Sequence, residues 1–156
     1  MRVFATGSNT LILPFPSIFY PDDQHCMLRS QQITFINTSW SSSQRKGSSL
    51  FFKLALHPSL KSCNFVFIGN TASYVASPNL SVLKPMNSID LSKYLRSANI
   101  YVTFSRDDPC SNSLLEAIAC GCVPFAIKSG GNTEIVSRCG GYLFNDFEIC
   151  ISYWLQ

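Results

Sequence analysis

The sequence predicts an α/β fold in which a Rossmann-like parallel sheet carries helices on both faces. Short apolar runs alternate with segments of helical periodicity roughly every 20 residues, which is the pattern of right-handed βαβ units. The composition agrees, because 46% of the 156 residues are hydrophobic and only 13% are charged. Such a chain can fold around a core of its own.

The apolar runs are predicted to be six strands, over residues 33–37, 64–68, 79–83, 100–104, 123–127 and 142–144. Helices are predicted over residues 48–56, 89–98, 109–120 and 134–138, and a last one begins at Asp146. Ser88 is expected to cap the second helix and Asn132 or Thr133 the fourth, because their side chains accept hydrogen bonds from free N–H groups. Gly121 is expected to end the third, since glycine readily adopts a positive φ.

The chain is predicted to divide into three parts. Residues 1–32 form a proline-rich, irregular linker with at most one short strand (residues 10–13), residues 33–145 form the Rossmann-like domain, and residues 146–156 start a truncated C-terminal helix. No run approaches the roughly 18 apolar residues of a membrane helix, and no signal peptide is recognisable. A cytoplasmic location is therefore expected, and peripheral contact with a membrane stays open.

Charge and cysteine content argue against several classes of function. The net charge of +3 is small and the basic residues are scattered, so no nucleic-acid partner is expected. The seven cysteines include no C-x-x-C pair. Reduced thiols of a cytosolic protein are therefore expected, rather than disulfides or a zinc site.

A polar stretch after the fourth predicted strand is the strongest candidate for a ligand site. Asp107 and Asp108 form an acidic turn, and Pro109 stands where a first helical residue would, because its fixed φ suits a helix start. The unsatisfied N–H groups and partial positive charge of a helix N-terminus can hold a diphosphate. Small polar residues crowd this predicted first turn: Ser111, Asn112 and Ser113.

Three other loops are predicted to share an edge of the sheet with this stretch. In parallel sheets, ligands bind beyond the carboxyl ends of the strands, where residues 38–46, 69–70, 105–113 and 129–133 are expected to lie. Each residue has an ordinary explanation when taken alone. Asp108 is explained as a helix N-cap, Glu116 as a solvated helix residue and Lys46 as a surface lysine.

The order of three motifs along the chain narrows these alternatives. The motifs are Lys46-Gly47, FIGN at residues 67–70, and DDPCSNSLLEAIACGCVPFAIKSGGNTEIV at residues 107–136. Over residues 33–144 this order resembles the nucleotide-sugar-binding C-terminal domain of family 4 glycosyltransferases, which are retaining enzymes of the GT-B fold. That family's signature is a carboxylate, seven residues and a glutamate, and Asp108 and Glu116 have this spacing.

The resemblance implies a role for each matching residue. Lys46 would neutralise the donor diphosphate, Asp108 would hold the donor sugar, and Glu116 would bind the ribose hydroxyls. The two carboxylates are then the catalytic candidates. They would make two contacts with one donor and would not form a glycosidase-type acid–base pair. The phosphates would be bound by the backbone N–H groups of Ser111, Asn112, Ser113 and Leu114. Lys84 would lie beside the base.

The resemblance also implies the partners. They are a nucleotide-sugar donor and a sugar or glycan acceptor, with no metal or other cofactor. The acceptor would be held by an N-terminal domain that is expected to be missing from these residues or to lie on a separate chain. Two positions depart from the family pattern, because Asp108 stands where a glutamate is usual and Trp40 where an arginine is common.

Three hypotheses follow for the function. The chain is the donor-binding half of a glycosyltransferase that is inactive alone, or a truncated module that binds a nucleotide sugar without transferring it. A third hypothesis, a related sugar-nucleotide epimerase, would require catalytic carboxylates and histidines that are not recognisable in the sequence.

Overall fold

The structure is a computed structural model that describes residues 32–154, so all of the predicted linker except Gln32, including its strand at residues 10–13, lies outside the described residues. These residues form six strands and five α-helices, and every connection between successive strands except that from β2 to β3 contains an α-helix, which confirms the predicted fold class. The strands are β1 (Thr34–Ser39), β2 (Asn64–Gly69), β3 (Leu80–Leu83), β4 (Ile100–Thr103), β5 (Val123–Ile127) and β6 (Tyr142–Phe144). The helices are α1 (Ser48–Ala55), α2 (Ser88–Ser97), α3 (Asn112–Ala119), α4 (Asn132–Cys139) and α5 (Phe147–Ser152).

All six strands are parallel, in the order β3-β2-β1-β4-β5-β6. The chain moves outward from β1 to β3 and then returns to the centre of the sheet at β4. The direction of winding therefore reverses between β1 and β4. In doubly wound sheets a ligand crevice opens at this switch point, beyond the carboxyl ends of the two strands.

Two apolar clusters cover the two faces of the sheet, which explains why the strands read as unbroken apolar runs. One cluster joins α1 and α5 to the sheet through phenylalanines such as Phe35, Phe51 and Phe147. The other joins α2, α3 and α4 through side chains such as Leu95 and Ile118. None of the helices within residues 32–154 is long and apolar enough to cross a membrane.

The ladder between β1 and β4 is short. Only two residue pairs are in register, Phe35 with Ile100 and Ile36 with Tyr101, whereas β1 and β2 pair over six residues. Beyond this point side chains bridge the strands, because the Asn37 Nδ2 donates to the carbonyl oxygen of Val102 at 2.6 Å. The two central strands thus separate where the crevice begins.

Three predictions about helix starts are wrong. Helix α2 is capped by Asn87, whose Oδ1 accepts from the N–H of Asp90 at 3.0 Å, and Ser88 is its first residue. Helix α4 follows Gly131 without a side-chain cap, because the amide of Asn132 points into the core. Helix α3 begins at Asn112 and not at Pro109. The predicted end of α3 is confirmed, since Gly121 has a φ of 87°.

A candidate ligand site at the switch point of the sheet

Two loops meet at the carboxyl ends of β1 and β4, and we call them the crevice loops (residues 40–47 and 104–111). The backbone N–H of Arg106 donates to the carbonyl oxygen of Arg45 at 2.9 Å. Gly47, at a φ of 68°, lies so close to Phe104 that an added Cβ would stand 2.4 Å from the Cβ of Phe104. Only glycine tolerates both the positive φ and this close contact, so the Lys46-Gly47 motif holds one crevice loop against the other.

Lys46 and Asp108 form an ion pair across the crevice loops. The Nζ of Lys46 lies 2.8 Å from the Oδ2 of Asp108, and the two side chains are 37% and 13% exposed. Lys46 lies in a short 3-10 helix (Gln44–Lys46) after β1. The other carboxylate oxygen of Asp108 accepts from the N–H of Cys110 at 3.3 Å, which forms a tight turn over the intervening proline.

A third loop, after β5, fixes the backbone around Asp108. The N–H of Gly131 donates to the carbonyl oxygen of Asp108 at 2.8 Å, and the N–H of Asp107 donates to the hydroxyl of Ser129 at 3.0 Å. Gly131 has no room for a side chain, because an added Cβ would lie 2.2 Å from the carbonyl oxygen of Pro109. This anchoring holds Asp108 and Pro109 outside the helix and explains why α3 starts later than predicted.

Asn132 holds the same loop from its buried side. Its side chain is fully buried, and its Nδ2 donates to the carbonyl oxygen of Ser105 at 2.9 Å. The residue therefore ties the start of α4 to the end of β4. The sequence suggested a helix cap at this position, whereas the structure uses the amide to hold the crevice loop.

The first turn of α3 is open towards the crevice. Ser111 precedes the helix, but its side chain accepts no hydrogen bond from it, and the first turn contains no acidic residue. The first N–H groups of a helix have no partner within the helix, and they carry its partial positive charge. Leu114 is fully buried, so only its backbone can serve a ligand, while Asn112 is exposed and Ser113 is half-buried.

Glu116 lies one turn further along α3 and is half-buried. Burial raises the pKa of this carboxyl above its ordinary value. Its charge in turn contributes to raising the pKa of Tyr101 on β4, although burial of the phenol is the larger cause. Glu116 is therefore close enough to Tyr101 for its charge to act on the phenol.

The structure brings most of the predicted site residues to one place. Lys46 and Asp108 form an ion pair, and α3 begins four residues after Asp108. Lys84 is exposed just past β3, two strands from β1, which corresponds to about 10 Å across the sheet. Trp40 begins the first crevice loop with 63% of its surface exposed.

Sequence reasoning placed Gly131 and Asn132 in a loop at this edge without finding their contacts, and it missed Tyr101. The first two stand in the motif GGN, whose paired glycines signal close backbone approach. Tyr101 stands in an apolar strand run, and only its hydroxyl distinguishes it from the neighbouring phenylalanines.

Two other features of the described residues are not part of this crevice. A shallow depression of about 520 Å³ lies along α2, and its charged side chains Asp90 and Lys93 already pair with each other at 2.8 Å. No group of three or more His, Cys, Asp or Glu side chains within residues 32–154 could hold a metal ion.

Comparisons with solved structures agree with this architecture. Over 91% of its length the chain superimposes on WaaG, a glycosyltransferase involved in lipopolysaccharide biosynthesis, with a TM-score of 0.69 and 15% identity. It also matches HepE from Anabaena in complex with UDP, over 89% of the chain, with a TM-score of 0.71 and 18% identity. The chain spans 45% of WaaG and 44% of HepE, so it corresponds to about half of each.

A third structure is itself a single domain. The C-terminal domain of the group 1 glycosyltransferase LpcC from Francisella tularensis matches 89% of the chain, with a TM-score of 0.63 and 20% identity, and 85% of that domain is covered. These likenesses establish the fold, that of one half of a GT-B glycosyltransferase. No curated protein matches the chain.

Family membership comes from the sequence itself. The sequence model described as "Glycosyl transferases group 1" matches residues 31–150. This span contains every strand of the sheet, both crevice loops and the open turn of α3. The chain therefore belongs to the group 1 glycosyltransferases.

Proposed function

We propose that this chain is the donor-binding half of a retaining glycosyltransferase and binds a nucleotide-diphosphate sugar in the crevice. The observation that carries the proposal is the Lys46–Asp108 ion pair, which stands at the switch point of the sheet, four residues before the start of α3. A cation beside free N–H groups suits a diphosphate. A carboxylate at the same point can accept hydrogen bonds from sugar hydroxyls.

Each residue has a distinct task in this proposal. Lys46 neutralises the diphosphate, and the N–H groups from Ser111 to Leu114 bind its oxygens. Asp108 orients the hydroxyls of the donor sugar, while Glu116 accepts from the ribose. Lys84 lies on the outer side of the sheet, towards the base.

The contribution to catalysis is stabilisation of the leaving group. When the bond between sugar and diphosphate breaks, negative charge grows on the departing phosphate oxygens. Fixed N–H dipoles and a lysine aimed at that charge are the kind of group that lowers such a barrier most. Asp108 precedes α3 and Glu116 lies within it. We therefore propose that they hold one donor and do not act as an acid–base pair, and that the transfer needs no metal ion.

We also propose that transfer requires a second domain, in the same protein or on a separate chain, which carries the acceptor and closes over the crevice. The coverage of less than half of WaaG supports this division of labour. None of the six cysteines within residues 32–154 forms a disulfide, which supports a reducing, cytoplasmic location.

Titration calorimetry with UDP-, GDP- and ADP-sugars tests the proposal. UDP-glucose leads the panel, because HepE has been solved with UDP and glucose. We expect one donor class to bind, and Lys46→Ala to weaken its binding. Lys53→Ala is the matched control, since Lys53 is an exposed lysine on α1 outside the crevice loops. If no nucleotide sugar binds even at millimolar concentration, the donor-site assignment is wrong.

A further inference from the structure

Tyr101 is a buried tyrosine in a sheet whose other core aromatics have no hydroxyl. It is 1% exposed, and every other buried aromatic side chain within residues 32–154 is a phenylalanine. A buried hydroxyl is costly unless it is hydrogen-bonded, so a phenylalanine would be the simpler choice for packing. The hydroxyl therefore calls for a specific explanation.

The partners of this hydroxyl lie on both sides of the switch point. It lies 3.2 Å from the Oγ1 of Thr38 and donates to the Thr38 carbonyl oxygen at 3.3 Å. Thr38 is the penultimate residue of β1, at the start of the path to Lys46. On the other side, Tyr101 belongs to the same buried cluster as Leu114 and Ile118 of α3. The side chain of Ser113, in the first turn of that helix, lies near enough to lower the pKa of the phenol by hydrogen bonding.

The position of the bridge matches the gap in the sheet. The backbone ladder between β1 and β4 ends at Ile36 and Tyr101. Beyond this pair the Tyr101 side chain connects the two strands, on the face of the sheet that α3 covers. It thus links β4 to the end of β1 beyond the last backbone pair of this ladder.

The bridge also bears on Glu116. Residues three apart on a helix lie on the same side, so Ser113 and Glu116 are neighbours on α3. Burial chiefly raises the pKa of Tyr101, the hydrogen bonds to Ser113 and Thr38 lower it, and the Glu116 charge raises it. The phenol consequently stays neutral at physiological pH and can donate one hydrogen bond while accepting others.

We propose that Tyr101 is a positioning residue of the donor site, whose hydroxyl fixes the first turn of α3 and Glu116 against the end of β1. The inference rests on the proposed donor-binding function. In this role Tyr101 touches no ligand. It sets the spacing between the phosphate-binding turn and the loop that carries Lys46.

Tyr101→Phe tests this role, because it removes the hydroxyl and keeps the ring. The probes are UDP, GDP and ADP, titrated by calorimetry well below the unfolding temperature. We expect the affinity of the best nucleotide to fall by about threefold to tenfold, the effect of one lost hydrogen bond. Thr38→Val removes a partner of the same bridge and should have a similar effect. Tyr142→Phe, at a 51% exposed tyrosine on β6, is the matched control and should bind as the wild type does.

A double-mutant cycle separates positioning from mere stability. A purely structural hydroxyl would lower the melting temperature, and its effect on affinity would add to that of Glu116→Gln. Positioning through Glu116 predicts that Tyr101→Phe and Glu116→Gln are not additive in nucleotide affinity. Folded Tyr101→Phe with wild-type affinity would overturn the inference. Should that variant not fold, wild-type affinity in Ser113→Ala and Thr38→Val would overturn it equally. A wild type that binds none of the nucleotides would instead refute the proposed function, and the inference with it.

Discussion

The Nζ of Lys46 lies 2.8 Å from the Oδ2 of Asp108, although the two residues are 62 positions apart in the chain. Lys46 follows β1 and Asp108 follows β4, so each belongs to a different half of the sheet. The pair forms only when both halves have assembled around the switch point. The Lys46 charge that we propose binds the donor phosphates is therefore already paired with a carboxylate in the free protein.

The first prediction concerns this competition for Lys46. Replacing Asp108 by asparagine removes the carboxylate that neutralises the lysine and repels a diphosphate. We expect Asp108→Asn to bind a nucleoside diphosphate about twofold to fivefold more tightly, a gain on the scale of a partly exposed ion pair. For the nucleotide sugar the gain should be smaller, because the proposed contact with the sugar is lost. Calorimetry with the two ligands side by side measures the difference.

Asp107→Asn is the control for this experiment. Asp107 is the adjacent carboxylate and has a φ of 55°, a conformation that asparagine tolerates well. Its replacement changes the charge of the loop equally but leaves the ion pair intact. An equal gain in both variants would show that general charge, and not the pairing with Lys46, limits diphosphate binding.

The second prediction concerns salt. A charge-assisted contact between Lys46 and a diphosphate is worth roughly 1–3 kcal/mol, and added salt screens it. We expect the affinity of the wild type to fall as the salt concentration rises, and Lys46→Ala to bind more weakly with a flatter salt dependence. Calorimetry at three salt concentrations provides the comparison. Parallel slopes in wild type and Lys46→Ala would argue against a direct contact.

The third prediction follows from the buried position of Glu116. Its pKa is raised in the folded state above the ordinary value of 4.5, so the folded protein holds this proton to higher pH than the unfolded chain does. The contribution of Glu116 to the free energy of unfolding therefore falls as pH rises between those two pKa values. We expect Glu116→Gln to melt at or above the wild-type temperature near pH 7 and to lose that advantage near pH 4.

Nucleotide binding should move in the opposite direction, since Glu116→Gln removes the charge proposed to bind the ribose. Glu134→Gln is the control, because Glu134 is exposed and pairs with Arg138 at 2.8 Å. Its replacement should not raise the melting temperature at either pH. A Glu116→Gln protein that is clearly less stable than the wild type near pH 7 would contradict the assigned burial cost.

The fourth prediction concerns the contact between Gly131 and the Asp108 loop. Gly131 has an ordinary φ of −66°, so alanine meets no backbone strain there, but its Cβ would stand 2.2 Å from the carbonyl oxygen of Pro109. We expect Gly131→Ala to lower the free energy of unfolding by about 1–3 kcal/mol through overpacking. Nucleotide affinity should fall too, because Asp108 must shift. Denaturant unfolding and calorimetry measure the two effects.

Gly140 is the matched control for Gly131. An added Cβ there meets nothing within 4 Å, but its φ of 80° is unfavourable for alanine. Gly140→Ala should therefore cost roughly 1–2 kcal/mol of stability through backbone strain and leave nucleotide affinity unchanged. Equal losses of affinity in both variants would mean that Gly131 does not act through the loop.

The strands and helices were predictable because each leaves a local mark. Apolar runs marked the buried strands, and the periodicity of Leu114, Leu115 and Ile118 marked α3. The spacing of Asp108 and Glu116 also led to the crevice, since parallel topology places residues after strands at one edge. Lys84 follows the carboxyl end of β3 and Glu116 lies within α3, and their roles stay predictions.

What the sequence could not supply were the contacts between loops. Pro109 carries a strong local preference for a helix start, yet the Gly131 N–H and the turn to Cys110 hold it outside the helix. Asn132 has the local chemistry of a cap, and burial against Ser105 overrides it. In both cases a partner more than 20 residues away decides the conformation, and no local pattern encodes that partner.

The brief pairing of β1 with β4 has a consequence for how the domain opens. A ladder of two registered pairs at the centre of the sheet is the natural boundary between two cooperative units, one built on β1 to β3 and the other on β4 to β6. A ligand held by both crevice loops would join these units. At a concentration 100 times its Kd it would add about 2.7 kcal/mol to the free energy of opening. Amide hydrogen exchange should then slow in both units at once, including residues far from any contact with the ligand.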